Sequence, residues 1–265
     1  YDGVRWETVN TLVNYDRPGN GVYSKDGYTS LLIHSDTSNG STTFLDSSSS
    51  NHTITATGAN HATTQAKIGA TSMYFDGDGD GLSVPISDVF NFGSGDFTYE
   101  AWIYPTSLQG QSYTAIINNF RDDESTSGWS FILHASNTIH VNVDGTHNNS
   151  TNAVSLNEWS HVAAVRNGRY LKRYINGVDA GNDLDLDGVT VGNVTAQGPN
   201  IGNAGSEYSN RDFQGYIDEV RISKGIARWT SDFTPPTSPY ANTITFNIDS
   251  TGKDTSNKDI TFPSN

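Results

Sequence analysis

The densest run of chemistry-bearing residues is Asp76-Gly77-Asp78-Gly79-Asp80-Gly81, three carboxylates at alternate positions with glycine between them. It matches the first half of a calcium loop, in which hard oxygen ligands at alternate positions are followed by a turn-forming glycine. The EF-hand form also needs a bidentate glutamate at position twelve and flanking helices. Position twelve is Ser87, and the flanks Tyr74-Phe75 and Leu82-Ser83-Val84 read as strands, so an EF-hand is excluded. Two readings stay open. One is a glycine-permitted turn between strands. The other is a turn whose Asp76, Asp78 and Asp80 also supply oxygens to calcium, since three close carboxylates repel without a cation.

Asp183-Leu184-Asp185-Leu186-Asp187-Gly188 has the same spacing with leucine between the acids. Strand alternation accounts for it more simply, with leucines inward and aspartates toward water. Zinc is not expected: the chain has no cysteine, and no two of its seven histidines sit at ligand spacing on a convincing element. The remaining chemistry lies in aromatic side chains. Sugar rings stack on Trp and Tyr faces while their hydroxyls seek Asn, Asp and Gln. Loop positions favour display, so Tyr113 beside Gln109-Gly110-Gln111 and Tyr208 within Asn203–Asn210 are the ligand candidates, with Arg121 and Asp122 at the same rim. Trp102, Trp129 and Trp159 fall on strands and are expected in the core.

The elements that must position these groups are short strands. Of 265 residues only 34% are hydrophobic, but 11% are aromatic, enough to close a core and to disfavour disorder. Abundant Gly, Ser, Thr, Asn and Asp suit many turns. No apolar run approaches the length of a membrane-spanning helix. The formal charge of −14 argues against nucleic acid and anionic membranes as partners, because both demand Lys and Arg. Lack of cysteine also excludes a disulfide framework and a thiol nucleophile.

Asn167-Gly168 between His161–Arg166 and Arg169–Ile175 predicts a hairpin, and Trp129–Ala135 pairs with Thr138–Val143 across Ser136-Asn137. Ser87 is placed to cap one short helical turn over Asp88-Val89-Phe90. Tyr1–Tyr28 reads as an N-terminal arm, 29–240 as one large sandwich, and 241–265 as a C-terminal β extension or the start of another module. In that extension Thr243–Ile248 and Asp259–Phe262 look like two added strands. The ends have too few apolar residues for cores of their own, so contacts with neighbouring subunits are expected to hold them. In the run Gly215-Tyr216-Ile217-Asp218-Glu219-Val220-Arg221-Ile222, strict alternation cannot bury Ile217, Val220 and Ile222 on one face. A bulge near Asp218-Glu219 that absorbs one residue resolves the conflict.

That same run, continued by Ser223-Lys224-Gly225-Ile226-Ala227-Arg228 and Phe233-Thr234-Pro235-Pro236, resembles the closing strand of laminin G-like domains of the concanavalin A-like lectin/glucanase superfamily. Four further segments are similar to the family's landmarks, in its order. These are Ser30–Asp36, Met73–Gly77 with Gly81–Val84, Asp96–Ile103, and Trp159–Ala163 with Tyr174–Gly177. The resemblance covers roughly Ser30–Tyr240. It is closest to versions found in bacteriophage virion proteins.

The resemblance implies an all-β fold, an antiparallel β-sandwich of jelly-roll type. It also implies a structural calcium where the opening and closing strands meet, held by Asp218 and, less directly, Asp36, with backbone carbonyls. Hydrogen bonding of Asp218 to loop amides is the competing reading. Glucanases of this superfamily carry Glu-x-Asp-x-x-Glu on one strand, so that acid and nucleophile flank the sugar bond. This chain has no such array, and Glu100 stands alone, so no enzyme activity is expected. The expected function is a non-catalytic virion surface protein (tail fibre, spike or capsid decoration) binding host glycan. A purely structural assembly protein, or a carbohydrate-binding module of a secreted bacterial adhesin or hydrolase, is the alternative. The expected partners are a glycan and other virion subunits or copies of the chain.

Overall fold

A computed structural model describes residues 22–120, 128–191, 197–204, 211–241 and 243–246. They fall into two compact units. The smaller is built from the two ends of the chain, and its described part is a two-stranded antiparallel ladder of β1 (Val22–Lys25) with a C-terminal strand, Thr243–Phe246. The extension thus finds a partner in the arm. Asp259–Phe262, read as its partner strand, lies outside the described residues.

The larger unit, Gly27–Tyr240, is an antiparallel sandwich. In chain order its strands are β2 (Thr29–Ile33), β3 (Thr55–Thr57), β4 (Asn60–Ala62), β5 (Ser72–Asp76), β6 (Gly81–Ser83) and β7 (Phe97–Ser107). There follow β8 (Tyr113–Phe120), β9 (Gly128–His134), β10 (Thr138–Val143), β11 (Thr146–Ala153), β12 (Ser160–Asn167) and β13 (Tyr170–Ile175). Last come β14 (Val178–Asp179), β15 (Leu184–Asp185), β16 (Asn200–Ile201) and β17 (Gln214–Lys224), with Thr243–Phe246 as β18. One sheet runs β11-β10-β9-β8-β16-β6-β3. The other runs β14-β13-β12-β7-β17-β5-β4, with β2 also on β17 and β15 on β13. The one described helical element is a 3-10 turn at Asp88–Phe90, capped by the Ser87 hydroxyl as expected. No described helix is long and apolar enough to cross a membrane.

Period-2 alternation builds the core. Trp129, Phe131 and Leu133 on β9, and Ile139, Val141 and Val143 on β10, meet Phe97, Tyr99, Ala101 and Ile103 on β7 and Val162 and Ala164 on β12. Tyr99 stacks on Trp129 at 4.3 Å between ring centres. The hairpins form where expected, with one register difference. Asn167 pairs with Tyr170, so the two-residue loop is Gly168-Arg169 and not Asn167-Gly168. Gly168 has φ +60. It occupies the first central position, where a II′ turn requires glycine.

The bulge in β17 forms as the hydrophobic order demands. Asp218 pairs with Trp102 and Arg221 with Glu100, so Glu219 and Val220 together oppose Ala101. Glu219 takes φ +50, and Ile217, Val220 and Ile222 are all fully buried. At this point β17 also changes partner on its other edge, from β5 (through Ile217) to β2 (from Val220).

The outer face of the β17 sheet is covered by the segment that follows it. Trp229 and Phe233 stack at 3.9 Å over Ala163, Val165 and Tyr174. Beneath them lies a buried polar network. Glu100 accepts from Arg221 Nε at 2.8 Å, and from Trp229 Nε1 at 2.8 Å through its second oxygen. Tyr240 OH bonds His161 Nε2 at 2.8 Å, and Glu219 accepts the Tyr240 amide. Burial pushes the Glu100 carboxyl up, but Arg221, His161 and Trp229 outweigh it and hold it at about 2. Glu100 is therefore not isolated. It is the charged anchor of the segment 225–240.

Candidate functional site

The expected metal positions separate into two places, and in both there are carboxylates that accept backbone amides. Asp218 is fully buried; its Oδ2 accepts from Lys67 N and Ile68 N, and its Oδ1 from Glu219 N. Burial pushes it up to about 8, against those three amides. Asp36 accepts from Ala70 N at 2.8 Å. Together they fasten the 67–70 loop, which is the hydrogen-bonding reading of Asp218. In the acidic turn, Asp76 Oδ1 accepts the Asp78 amide and Asp80 Oδ2 the Asp76 amide. Asp212 joins this group from a distant segment. Burial raises it, and so do Asp78 and Asp76. Among the described residues no three His, Asp or Glu side chains come together as a metal site.

The leucine-spaced acids behave as alternation predicts. Leu184 and Leu186 are buried, while Asp185 and Asp187 face outward and pair with Arg169. Of the tryptophans, Trp129 is fully in the core. Trp102 is buried, but on the outer face, with the Lys67 ammonium 4.1 Å above its ring. Trp159 departs from expectation: it is half-buried against Tyr104.

Tyr113 is the expected ligand residue that lies at a recess. Arg121, Asp122 and Tyr208 lie outside the described residues. The recess, about 80 Å3, opens on the outer face of the β8-β9-β10-β11 sheet and is lined by Tyr113, Ser130, Ile132, His140, Asn142, His147 and Arg211. Register explains the grouping. Residues between the core positions of β9 and β10 must point outward, so Ser130 pairs with Asn142 and Ile132 with His140. His147 is the β11 partner of Asn142. A bulge in β8 between Ala115 and Ile117 lets Ile116 and Ile117 both enter the core while Tyr113 stays outward. The Arg211 carbonyl accepts Ala115 N at 2.9 Å, which brings its guanidinium to 5.2 Å from the Tyr113 ring centre.

The floor is built for hydrogen bonding. Ser130, His140 and Asn142 are only 4%, 6% and 6% exposed. His140 Nδ1 bonds Asn149 Oδ1 at 2.7 Å, so Nδ1 carries the proton and Nε2 keeps its lone pair. Burial pulls this imidazole down to about 4, so it is neutral near pH 7. Asn142 Oδ1 accepts the Gly145 amide at 2.9 Å, which leaves its NH2 donors uncommitted. The Ser130 hydroxyl has no protein partner among the described residues. An acceptor, a donor and a hydroxyl thus line one small recess beside a Tyr ring. Pockets that engulf a drug-sized ligand run to about 300–1,000 Å3. This recess suits one residue or one end of a larger ligand.

Sequence reading singled out Tyr113, which was expected in a loop but begins β8, and did not single out the residues of the floor. The signal was present: Ser130-x-Ile132 and His140-x-Asn142 are the off-core positions of two strands already identified from their apolar alternation.

A family profile described as the concanavalin A-like lectin/glucanases superfamily matches residues 76–228. No curated protein sequence matches the chain. Among solved structures, domain 4 of AbnA, a GH43 extracellular arabinanase from Geobacillus stearothermophilus in complex with arabinotriose, is similar. Its TM-score is 0.55 at 18% identity, covering 78% of this chain and 95% of that one. The binding domain of Paraclostridial Mosquitocidal Protein 1 has TM-score 0.55 at 17% identity, with 75% and 49% coverage. The Botulinum neurotoxin serotype D binding domain has 0.55 at 17%, with 77% and 49%. The match thus spans about half the length of each toxin domain. At these identities the likeness is one of fold.

Proposed function

The chain belongs to the concanavalin A-like lectin/glucanase superfamily, and from that premise we propose a non-catalytic lectin-like module that holds a glycan in the Tyr113 recess. The observation that carries this reading is a trio of polar atoms, the Ser130 hydroxyl, His140 Nε2 and Asn142 Nδ2, which sit on largely buried side chains and line the recess without a protein partner among the described residues. A sugar offers what the recess lacks: hydroxyls that donate to His140 Nε2 and accept from Asn142 Nδ2, and a C–H face for Tyr113 and Ile132. The arabinotriose complex of the AbnA domain and the binding role of the toxin domains support a carbohydrate partner.

Binding is preferred over hydrolysis because no Asp or Glu is among the described residues that line the recess. Glycosidases need two carboxylates about 5–10 Å apart across the bond. The virion-like wording of Ser223–Arg228 and Pro235-Pro236 leads us to place the module on a particle surface, beside other subunits. The test is a glycan array followed by calorimetry on the purified chain and on the Ser130→Val and Tyr113→Ala variants. The array is expected to return sugar ligands, and each variant to weaken them about five- to thirtyfold, the effect of 1–2 kcal/mol. Ligands whose affinity neither variant changes would place the site elsewhere. An array without hits would favour the structural assembly reading.

A further inference from the structure

Asn149 does not line the recess, yet it bonds His140, the lining group that can either donate or accept. Resting on the lectin reading for its ligand, we infer that Asn149 is a positioning residue: it holds His140 in the tautomer that makes Nε2 an acceptor, and so selects a sugar that offers a hydroxyl proton there. A neutral imidazole has one donor and one acceptor nitrogen. Which is which is set by the bond that the other nitrogen makes. Nδ1 lies 2.7 Å from Asn149 Oδ1, and an amide oxygen can only accept, so the proton sits on Nδ1. That amide also carries no charge. A carboxylate in its place would favour the imidazolium, in which both nitrogens donate. An amide partner therefore gives the recess an acceptor where a carboxylate would give it a donor.

The fold holds Asn149 in place. His140 and Asn149 are cross-strand partners at the point where the β10-β11 register shifts, between Thr138 and His140. At that break Ser150 Oγ accepts the Ile139 amide at 2.9 Å and donates to the Asn152 carbonyl at 2.6 Å. Asn182 Nδ2 donates to the Asn149 carbonyl at 2.7 Å, and the fully buried Arg173 donates to the Asn148 carbonyl at 2.9 Å. The strand cannot slide without losing these bonds. Around the imidazole, the ring centres of Tyr113 and His147 lie 5.0 and 5.3 Å away. The charged or titratable groups acting on it through space are His147, His134 and Arg173, and Arg173 is itself faced by Asp183 and Asp179. Burial first, then these groups, hold His140 at about 4 against the Asn149 bond. At pH 7 its tautomer, and not its charge, decides what it offers.

The experiment is 15N NMR of the histidine rings in the full chain, where a protonated ring nitrogen and one with a free lone pair give well-separated signals. The His140 signals are assigned by their loss in His140→Gln. At pH 7 the parent should show His140 protonated at Nδ1. Asn149→Leu, which removes the acceptor, should move the proton toward Nε2. Asn149→Asp should keep it on Nδ1 but raise the titration midpoint of His140 by about 1–3 pH units, and it remains readable if the first variant does not fold. A proton on Nε2 in the parent, or a tautomer and midpoint that neither variant moves, overturns the inference. Calorimetry at pH 7 with arabinotriose, lactose and the sugars returned by the array reads the consequence. A sugar that binds the parent should lose about tenfold in Asn149→Leu. Unchanged binding there, with the tautomer moved, overturns selection through His140 and leaves the lectin reading standing. If no sugar binds, the lectin reading falls, while the ring signals still decide the tautomer.

Discussion

Replacing Glu100 by Gln should loosen the outer covering of the β17 sheet, and its cost can be worked out two ways. The substitution keeps the shape of the side chain but removes its charge. Arg221, only 7% exposed, is then left as a buried cation without a counter-ion. The new NH2 also opposes a donor, because the Glu100 oxygens accept from both Arg221 and Trp229. Breaking one side of a buried ion pair costs about 3–5 kcal/mol. Independently, a carboxyl held at about 2 in the fold against 4.5 in the free side chain contributes about 3 kcal/mol, at 1.36 kcal/mol per pKa unit. The two figures agree. The sign follows from the depressed value. The contribution is present above the unfolded pKa and is lost as pH falls through about 4.5 toward 2. Melting curves at neutral pH should therefore show Glu100→Gln lower by roughly 10 °C. The difference from the parent should narrow as both are taken toward pH 2. Limited proteolysis should cut the variant first within 225–240. The double variant Glu100→Gln/Arg221→Met should lose less than the sum of the single ones, since each removes the other's stranded partner. A loss below about 1 kcal/mol, with 225–240 still protected, would refute the network as the anchor of this segment.

Gly215→Ala should destabilise by at least about 1–3 kcal/mol, because φ is +136 there and a Cβ would lie 2.1 Å from the Tyr104 carbonyl oxygen. Gly110→Ala, at φ +71 but with open space around a Cβ, should cost only its left-handed backbone strain, about 1–2 kcal/mol; equal effects in urea melts would contradict the close approach. Calcium at Asp36, Asp218 or the Asp76–Asp80 turn would contribute about 2.7 kcal/mol at a hundred times its Kd. Excess chelator should then lower the melting temperature by roughly 5–10 °C, and an unchanged curve rules out a structural ion there.

The fold was legible where a local rule had one solution. Ile217, Val220 and Ile222 can share a face only with an extra residue between them, and the chain places it at Glu219. Alternation likewise sorted the leucines from the aspartates between Asp183 and Asp187. What stayed hidden depends on which strands become neighbours. Ser130, Asn142 and His147 form one row only because β9, β10 and β11 pair in a particular register, and nothing local announces that a row of outward side chains will close into a recess. Glu100 looked solitary because its partners, Arg221, Trp229 and Tyr240, lie more than a hundred positions away in the chain.

The switch of partner along β17 has a consequence for how the molecule is made. This one strand joins β7, β5 and β2, so the middle of its sheet stays open until nearly the whole domain has been synthesised. Until then β2, with all five residues destined for burial, and β5 expose apolar edges with no mate. Pairing across so long a stretch is slow and leaves such edges open to wrong partners. The order of events on the ribosome therefore matters. The β8–β11 meander, whose pairings are local, can form early, and the last strand must arrive before the earlier ones find a substitute.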